Sequence, residues 1–425
     1  MSPVPASAAA PAPPLSAAAT SAEWRADVGG IEVLFGRGAA ASVGELAREL
    51  GGRRALVVTD PGVRAAGHAD RAAAALGAAG VAARIFDAVI ENPTTREVAA
   101  GRDAAARWGT DLVVALGGGS AMDCAKGINF LLTNGGRMED YRGFGHARLP
   151  LLPAIGLPTT AGTGSEAQSY ALISQAESHQ KMACGDRQAR FRIVVLDPSL
   201  LASAPRRAAA AAGLDALAHA VESLVCRAAN PVSRMLSREA WRLLAPSLSS
   251  HLAAPAEAGP AGGMLLGAHL AGAAVELSML GAAHACANPL SARYGVAHGV
   301  AVALMLPHVV RWNGAAADSG DGPAVGELVE EALAVVGPAA GATAEGAAAA
   351  YATLDGCASS AALAARIEEL RAASGLPGRL REAGIEVSAP ALRELAREAA
   401  EQWTAGFNPR PAGEAALLRL YEQAF

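Results

Sequence analysis

The sequence predicts an open α/β domain followed by an all-helical one. Three observations carry that prediction. From Ile31, short continuous apolar runs alternate with helical segments, the pattern of a parallel sheet covered on both faces. After Asp197-Pro198 the alternation stops, and the chain has helical composition to its end. Hydrophobic residues are 52% while aromatics are 4%, so Ala and Gly dominate and helices can approach closely. A length of 425 residues calls for two domains. The boundary is placed near Ala204-Pro205, giving an α/β domain over 23–205 and a helical domain over 206–425. Residues 1–22, rich in Ala, Pro and Ser, read as a disordered tail without a basic signal-peptide start.

Taken in order, Ile31–Phe35 is a strand ending at Gly36, and Ala40–Leu50 is helical. Arg54–Thr59 is a β-rich run stopped by Asp60-Pro61-Gly62. Arg64–Ala79 reads as helix, Val81–Phe86 as strand and Thr95–Trp108 as helix. Asp111–Leu116 is a buried strand that runs into Gly117-Gly118-Gly119-Ser120, and Leu151–Leu157 is a further apolar run. Beyond Arg206, helices are expected to break at Pro231, Pro260, Pro307, Pro377 and Pro409.

The net charge of −5 gives no electrostatic reason to expect nucleic acid or a membrane surface as partner. Cys124, Cys184, Cys226, Cys286 and Cys357 are dispersed, as in a reducing cytoplasm, and form no disulfide framework. The longest apolar run, Met264–Ala283, contains His269 and Glu276 and reads as a buried helix rather than a membrane span.

Three stretches carry chemistry. Gly117–Ser120 leaves a strand and opens a helix, where backbone N–H groups can meet phosphate and Ser120 can cap. The spacing is not G-x-G-x-x-G, so a tight βα turn without ligand fits equally well. Asp60, at a strand's C-terminal end, could hold both hydroxyls of an adenosine ribose and repel a 2′-phosphate, favouring NAD. A turn Asp before Pro61 is the commoner local reading. Pro158–Glu166 gathers Thr159, Thr160 and Thr163 with two glycines, suited to a pyrophosphate or an amide, or simply a polar loop. Asp215 and His219, four residues apart, share a helix face. His284 and His298 could complete a site of one carboxylate and three imidazoles, suited to Fe(II) or Zn(II).

In this order the motifs resemble the iron-containing (group III) alcohol dehydrogenase family. The matching pieces are Phe35-Gly36-Arg37-Gly38, Val58-Thr59-Asp60, Glu91–Thr94 and Gly117–Ser120 with Asp123 and Lys126. Pro158–Glu166, Asp197-Pro198, Gly213–Glu222, His284, Asn288–Leu290, His298–Val300, Leu306–His308 and Asn408–Arg410 follow. The resemblance covers nearly the whole chain after the tail. It implies a Rossmann-like domain and a helical domain of dehydroquinate synthase-like architecture, with NAD and metal meeting between them. Carried over by position, Asp60 would hold the ribose, and Asn92, Gly118, Gly119, Ser120 and Asp123 would line the cofactor. Thr159, Thr160, Thr163 and Lys181 would complete its pocket. Asp215, His219, His284 and His298 would be the metal ligands. Tyr170, Trp403 and Thr404 fall near positions that contact substrate in relatives, and a homo-oligomer, dimer or larger, is implied.

The chain departs from the family at Asn288, where many members carry a histidine given a proton-relay role. An amide has no useful pKa and cannot act as a general base. Glu222, on the face of Asp215, could support the ligands from behind or be a helix-face charge. His308 reads as structural, and His68, His146, His179, His251 and His269 as surface or packing residues. The expected function is reversible hydride transfer between a small primary or secondary alcohol, or its aldehyde or ketone, and NAD. The alternatives are an NAD-binding protein with little dehydrogenase activity, or a lyase or transhydrogenase variant of the fold.

Overall fold

The computed structural model describes residues 22–178, 180–315 and 356–425. The N-terminal tail up to residue 21 and His179 lie outside the described residues. The chain opens with β1 (Trp24–Val28) and β2 (Ile31–Phe35), then α1 (Val43–Glu49), β3 (Arg54–Val58), α2 (Pro61–Ala65) and α3 (His68–Ala78). Next come β4 (Ala82–Phe86), α4 (Thr95–Trp108), β5 (Leu112–Gly117), α5 (Gly119–Asn134), β6 (Gly143–Phe144) and β7 (Ala154–Pro158). The strands β8 (Tyr170–Ser174), β9 (Lys181–Gly185) and β10 (Ile193–Leu196) end the α/β part.

Seven strands pair in the order β1-β2-β10-β7-β5-β3-β4, all parallel except β1, which is antiparallel to β2. β3 and β5 are neighbours, yet the chain leaves β3 toward β4 on one side and β5 toward β7 on the other. Their C-terminal ends therefore flank the point where the strand order reverses, the usual place for a ligand crevice in such sheets. β5 and β7 are buried along their whole length, as strands covered on both faces must be. β6, β9 and β8 form a small second sheet.

Several expectations hold and several are corrected. The α4 bounds agree with the pattern, and Thr94 and Glu97 form a capping box there. The helix expected over Arg64–Ala79 is split, because Gly67 takes φ +77 between α2 and α3. Pro61 begins α2 with Asp60 as N-cap, so the turn signal there is also a helix start. The hairpin of β1 and β2 was not anticipated. β1 alternates Trp24, Ala26 and Val28 with Arg25 and Asp27, but it is five residues long and largely exposed, too short a signal to stand out from the tail before it. Gly29 and Gly30, at φ +62 and +86, make its two-residue turn.

The helical part runs through α6 (Arg206–Val225), α7 (Pro231–Ala253), α8 (Ala258–Glu276), α9 (Ala282–Tyr294), α10 (His298–Gly314), α11 (Gly356–Ala373), α12 (Ala389–Ala400) and α13 (Glu414–Ala424). Pro260 lies in the first turn of α8, and Pro246, Pro289 and Pro307 lie inside helices. The break expected at Pro307 is thus absent. α10 is buried along nearly its whole length, and that packing outweighs the roughly 3 kcal/mol that an interior proline costs. The run Met264–Ala283 is not one helix, since α8 ends at Glu276 and α9 begins at Ala282.

Glycine sets how closely the elements meet around α6. A Cβ at Gly299 would lie 2.1 Å from the Ala211 carbonyl, so the start of α10 rests on the α6 backbone one turn before Asp215. A Cβ at Gly164 would lie 2.5 Å from Gly272 Cα, so the threonine loop sits on α8 backbone to backbone. Neither obstacle is a flexible side chain. Replacing Gly299 with Ala is expected to destabilise the fold by about 1–3 kcal/mol, read from urea unfolding. An unchanged midpoint would contradict this packing.

Candidate metal and cofactor cleft

α6 is buried on nearly all sides, and its face carries Asp215, His219 and Glu222. α9 and α10 begin against that face and contribute His284, in the first turn, and His298, the first residue. Asp215 Oδ1 lies 3.7 Å from His219 Nε2, 3.4 Å from His284 Nε2 and 3.8 Å from His298 Nε2. The donors of Asp215, His284 and His298 all lie within 4.8 Å of one another. The His219 ring stacks on His284 with centroids 4.8 Å apart.

Asp215 Oδ1 and His284 Nε2 are buried and without a hydrogen-bond partner. Buried polar atoms that face one another unsatisfied are costly unless something else binds them. A divalent ion about 2.1 Å from each donor would put tetrahedral neighbours about 3.4 Å apart. The three distances from Asp215 Oδ1, 3.4 to 3.8 Å, are close to that, and one carboxylate with three imidazoles is a donor set that Fe(II) and Zn(II) accept. The residues fit an ion.

Electrostatics prepares three of the four donors, Asp215, His219 and His298, while His284 must give up a proton to join them. Burial opposes charge on Asp215, but the three imidazoles outweigh it and hold its carboxyl below the usual carboxylate range. Burial lowers His219 and pushes His298 down to about 3, leaving both rings neutral with lone pairs free. Burial also works against charge on His284, yet Asp215 and Glu222 together raise it to about 9.

Glu222 resolves the choice left open by the sequence. Its Oε2 lies 2.5 Å from His284 Nδ1, and its Oε1 accepts from Ala283 N at 2.7 Å. One carboxylate therefore orients the imidazole and satisfies the N-terminus of α9, where the helix dipole favours negative charge. Asn408, without an assigned role from sequence, accepts from the neighbouring Ala282 N at 3.2 Å. His308 stays out of the cluster, and burial lowers it to about 4.

Across the cleft, the end of β5 and the start of α5 form a cradle. Gly118 is the N-cap and no side chain caps the helix. Ser120, expected to cap, instead accepts from Asn92 N at 3.2 Å through its hydroxyl. Asn92 has φ +53, the one positive value at a non-glycine among the described residues. Lys181 Nζ donates to Asn92 Oδ1 at 3.3 Å. Thr159 N donates to Gly117 O at 2.9 Å. Thr160 and Thr163 lie directly over Gly118 and Gly119, where an added Cβ would come within 3.1 and 2.6 Å of their hydroxyls. Asp60 caps α2 through Oδ1, while its Oδ2 faces Gly117 across the crevice between β3 and β5. Asp123 is buried one turn into α5 and accepts from Ser165 Oγ at 2.5 Å.

Lys126, which the sequence showed only as part of a motif, is buried and donates to Ser165 O at 2.7 Å and Tyr170 O at 2.8 Å. Its spacing from Asp123 within one helical turn was the available signal. Gln402 was missed, and nothing local marks it. Its Oε1 accepts from Asn288 Nδ2 at 3.1 Å, so the amide at the relay position is tied to the C-terminal segment.

Residues 31–198 match the model of the iron-containing alcohol dehydrogenase family, and residues 209–425 match that of the Fe-containing alcohol dehydrogenase family, C-terminal. The chain is 34% identical over 394 residues to 1,3-propanediol dehydrogenase of Klebsiella pneumoniae, covering 92% of this chain and 96% of that protein. It is 31% identical over 397 residues to lactaldehyde reductase of Escherichia coli, covering 92% and 97%. The crystal structure of a 1,3-propanediol oxidoreductase superposes with a TM-score of 0.84 at 31% identity, covering 95% of this chain and all of that one.

Removing the charge behind the His284 ring should loosen the ion. Glu222→Gln is expected to weaken Fe(II) affinity about 10–100-fold, by metal titration of the stripped protein. Wild-type affinity in a folded variant would remove Glu222 from the site.

Proposed function

The chain belongs to the iron-containing alcohol dehydrogenase family, and from that premise we propose how its own residues carry out hydride transfer between an alcohol or its aldehyde and NAD. The observation that carries the reading is that one loop joins the Asp215 helix to the open N-terminus of α5: Thr160 and Thr163 lie over Gly118 and Gly119, while Gly162 lies on Ala212, three residues before Asp215. Family members are NAD-dependent and use Fe(II), and the donor set here accepts Zn(II) as well.

Asp215, His219, His284 and His298 would hold the divalent ion. The free N–H groups at the start of α5, with Thr160 and Thr163, would receive the pyrophosphate. Asp60 would take the adenosine ribose hydroxyls with Oδ2. Asn92, Ser120, Asp123, Thr159 and Lys181 would line the rest of the pocket. When bound, NAD supplies the hydride acceptor and the ion supplies Lewis acidity toward the substrate oxygen.

The protein's part is positioning. Glu222 fixes the ring plane of His284 from behind, and Asp215 is the one anionic donor among the four, so a divalent ion held there would keep net positive charge for a developing oxyanion. Lys126, buried on the backbone carbonyls of Ser165 and Tyr170, holds the threonine loop against α5. Asn288 has no useful pKa near neutrality, so it does not serve as the general base for the alcohol proton. The four described cysteines are buried thiols, in keeping with the reducing cytoplasmic setting we place it in, and a homo-oligomer is part of the same reading.

NADH formation should follow addition of Fe(II) or Zn(II) across a panel of primary and secondary alcohols. NAD binding with no turnover under any metal would sink the dehydrogenase reading. Asp60→Gly costs α2 only a few tenths of a kcal/mol as a cap. It should raise the NADP to NAD ratio of kcat/KM on the order of 10-fold, by removing the charge that repels a 2′-phosphate. An unchanged ratio would take Asp60 out of the cofactor site.

A further inference from the structure

Aromatic side chains are scarce in this chain, with 7 Phe, 5 Trp and 5 Tyr among 425 residues. Three of them meet at one place. Phe144 and Tyr170 have ring centroids 5.6 Å apart, and Tyr170 and Trp403 5.9 Å apart. Phe144 and Trp403 remain 48% and 47% exposed, although large apolar groups are otherwise mostly buried here. Half-open rings gathered in a protein this poor in them mark a binding surface rather than a core.

Their placement ties them to the cleft. Phe144 and Tyr170 come from the small sheet of the α/β part, whose β9 also carries Lys181. Trp403 comes from the helical part, so the cluster spans the two. Trp403 follows Gln402, which accepts from Asn288, and Asn288 stands one helical turn beyond His284. The next residue, Thr404, is buried with its hydroxyl unpartnered among the described residues. The side chains joined here are neutral. Asn288 and Gln402 are amides, and burial together with Glu276 keeps the Tyr170 phenol protonated. Glu276, whose charge acts on Tyr170, would repel an anionic substituent, whereas an apolar one would find three ring surfaces.

Resting on the dehydrogenase reading above, we propose that the cleft prefers alcohols and aldehydes bearing an aryl or medium-length alkyl group, seated against Phe144, Tyr170 and Trp403. Short diols such as 1,3-propanediol would leave the rings uncovered. Each methylene or its equivalent in such a pocket is worth about 10-fold or more in kcat/KM.

The test compares benzyl alcohol and 1-hexanol with ethanol and 1,3-propanediol, using the full chain with Fe(II) and NAD. The expected kcat/KM for the first pair exceeds that for the second by at least about 10-fold. Trp403→Ala should shrink the preference for benzyl alcohol over ethanol about 10-fold, mainly through the KM for benzyl alcohol, and Trp403→Phe should restore most of it. Benzyl alcohol added to the metal-free protein should shift tryptophan emission in the wild type and not in Trp403→Phe. Equal or better turnover of ethanol and 1,3-propanediol by the wild type overturns the inference and leaves the dehydrogenase reading intact. No NADH from any alcohol overturns both.

Discussion

The structure depends on one carboxylate doing two things at once. Glu222 rises from α6, accepts from Ala283 N at the start of α9, and reaches His284 Nδ1. A helix N-terminus needs acceptors for its free N–H groups, and a metal-binding imidazole needs its second nitrogen held. Meeting both needs with one group ties the direction of α9 to the orientation of its first-turn histidine. Asn408 extends the arrangement to the C-terminal segment, because its Oδ1 accepts from Ala282 N and its Nδ2 donates to Asn313 Oδ1. The donor cluster is therefore a consequence of how three helices dock.

Close approach makes that docking achievable. Gly299 lets α10 begin on the backbone of α6, which delivers His298 to Asp215. Gly281 leaves room at the start of α9 for two side chains, since a Cβ there would lie 2.8 Å from Asn408 Oδ1 and 3.0 Å from Glu222 Oε1. On the other side of the cleft, Gly118 and Gly119 give room to Thr160 and Thr163, and Gly162 and Gly164 seat the same loop on α6 and α8. The loop touches both parts of the chain, so the cofactor cradle and the metal cluster share a support. Within that support, His269 is fully buried 3.4 Å from Glu166, a contact between α8 and the loop that its position in the sequence does not reveal.

Much of this was legible in the sequence. The alternation of apolar runs with helices gave the parallel sheet, and Gly117–Ser120 after a strand located the cradle. Asp215 and His219 declared themselves by spacing, and His284 and His298 by order within a family pattern. What was not legible depends on tertiary contact. Whether Glu222 was a surface charge or a buried partner could be decided only by where α9 begins. Pro307 reads as a break locally and is overruled by burial of α10 on its neighbours. Ser120 reads as a cap until Asn92, 28 residues earlier, is seen to donate to its hydroxyl. β1 is a short, largely exposed edge strand, so its pairing with β2 is what identifies it.

Asn288, one helical turn beyond His284, has its amide held by Gln402. The measurement that bears most directly on the account is anomalous scattering at the iron edge from crystals grown with Fe(II). The account predicts one strong peak about 2.1 Å from Asp215 Oδ1 and from Nε2 of His219, His284 and His298. A peak elsewhere, or none between these four side chains at full loading, would contradict it.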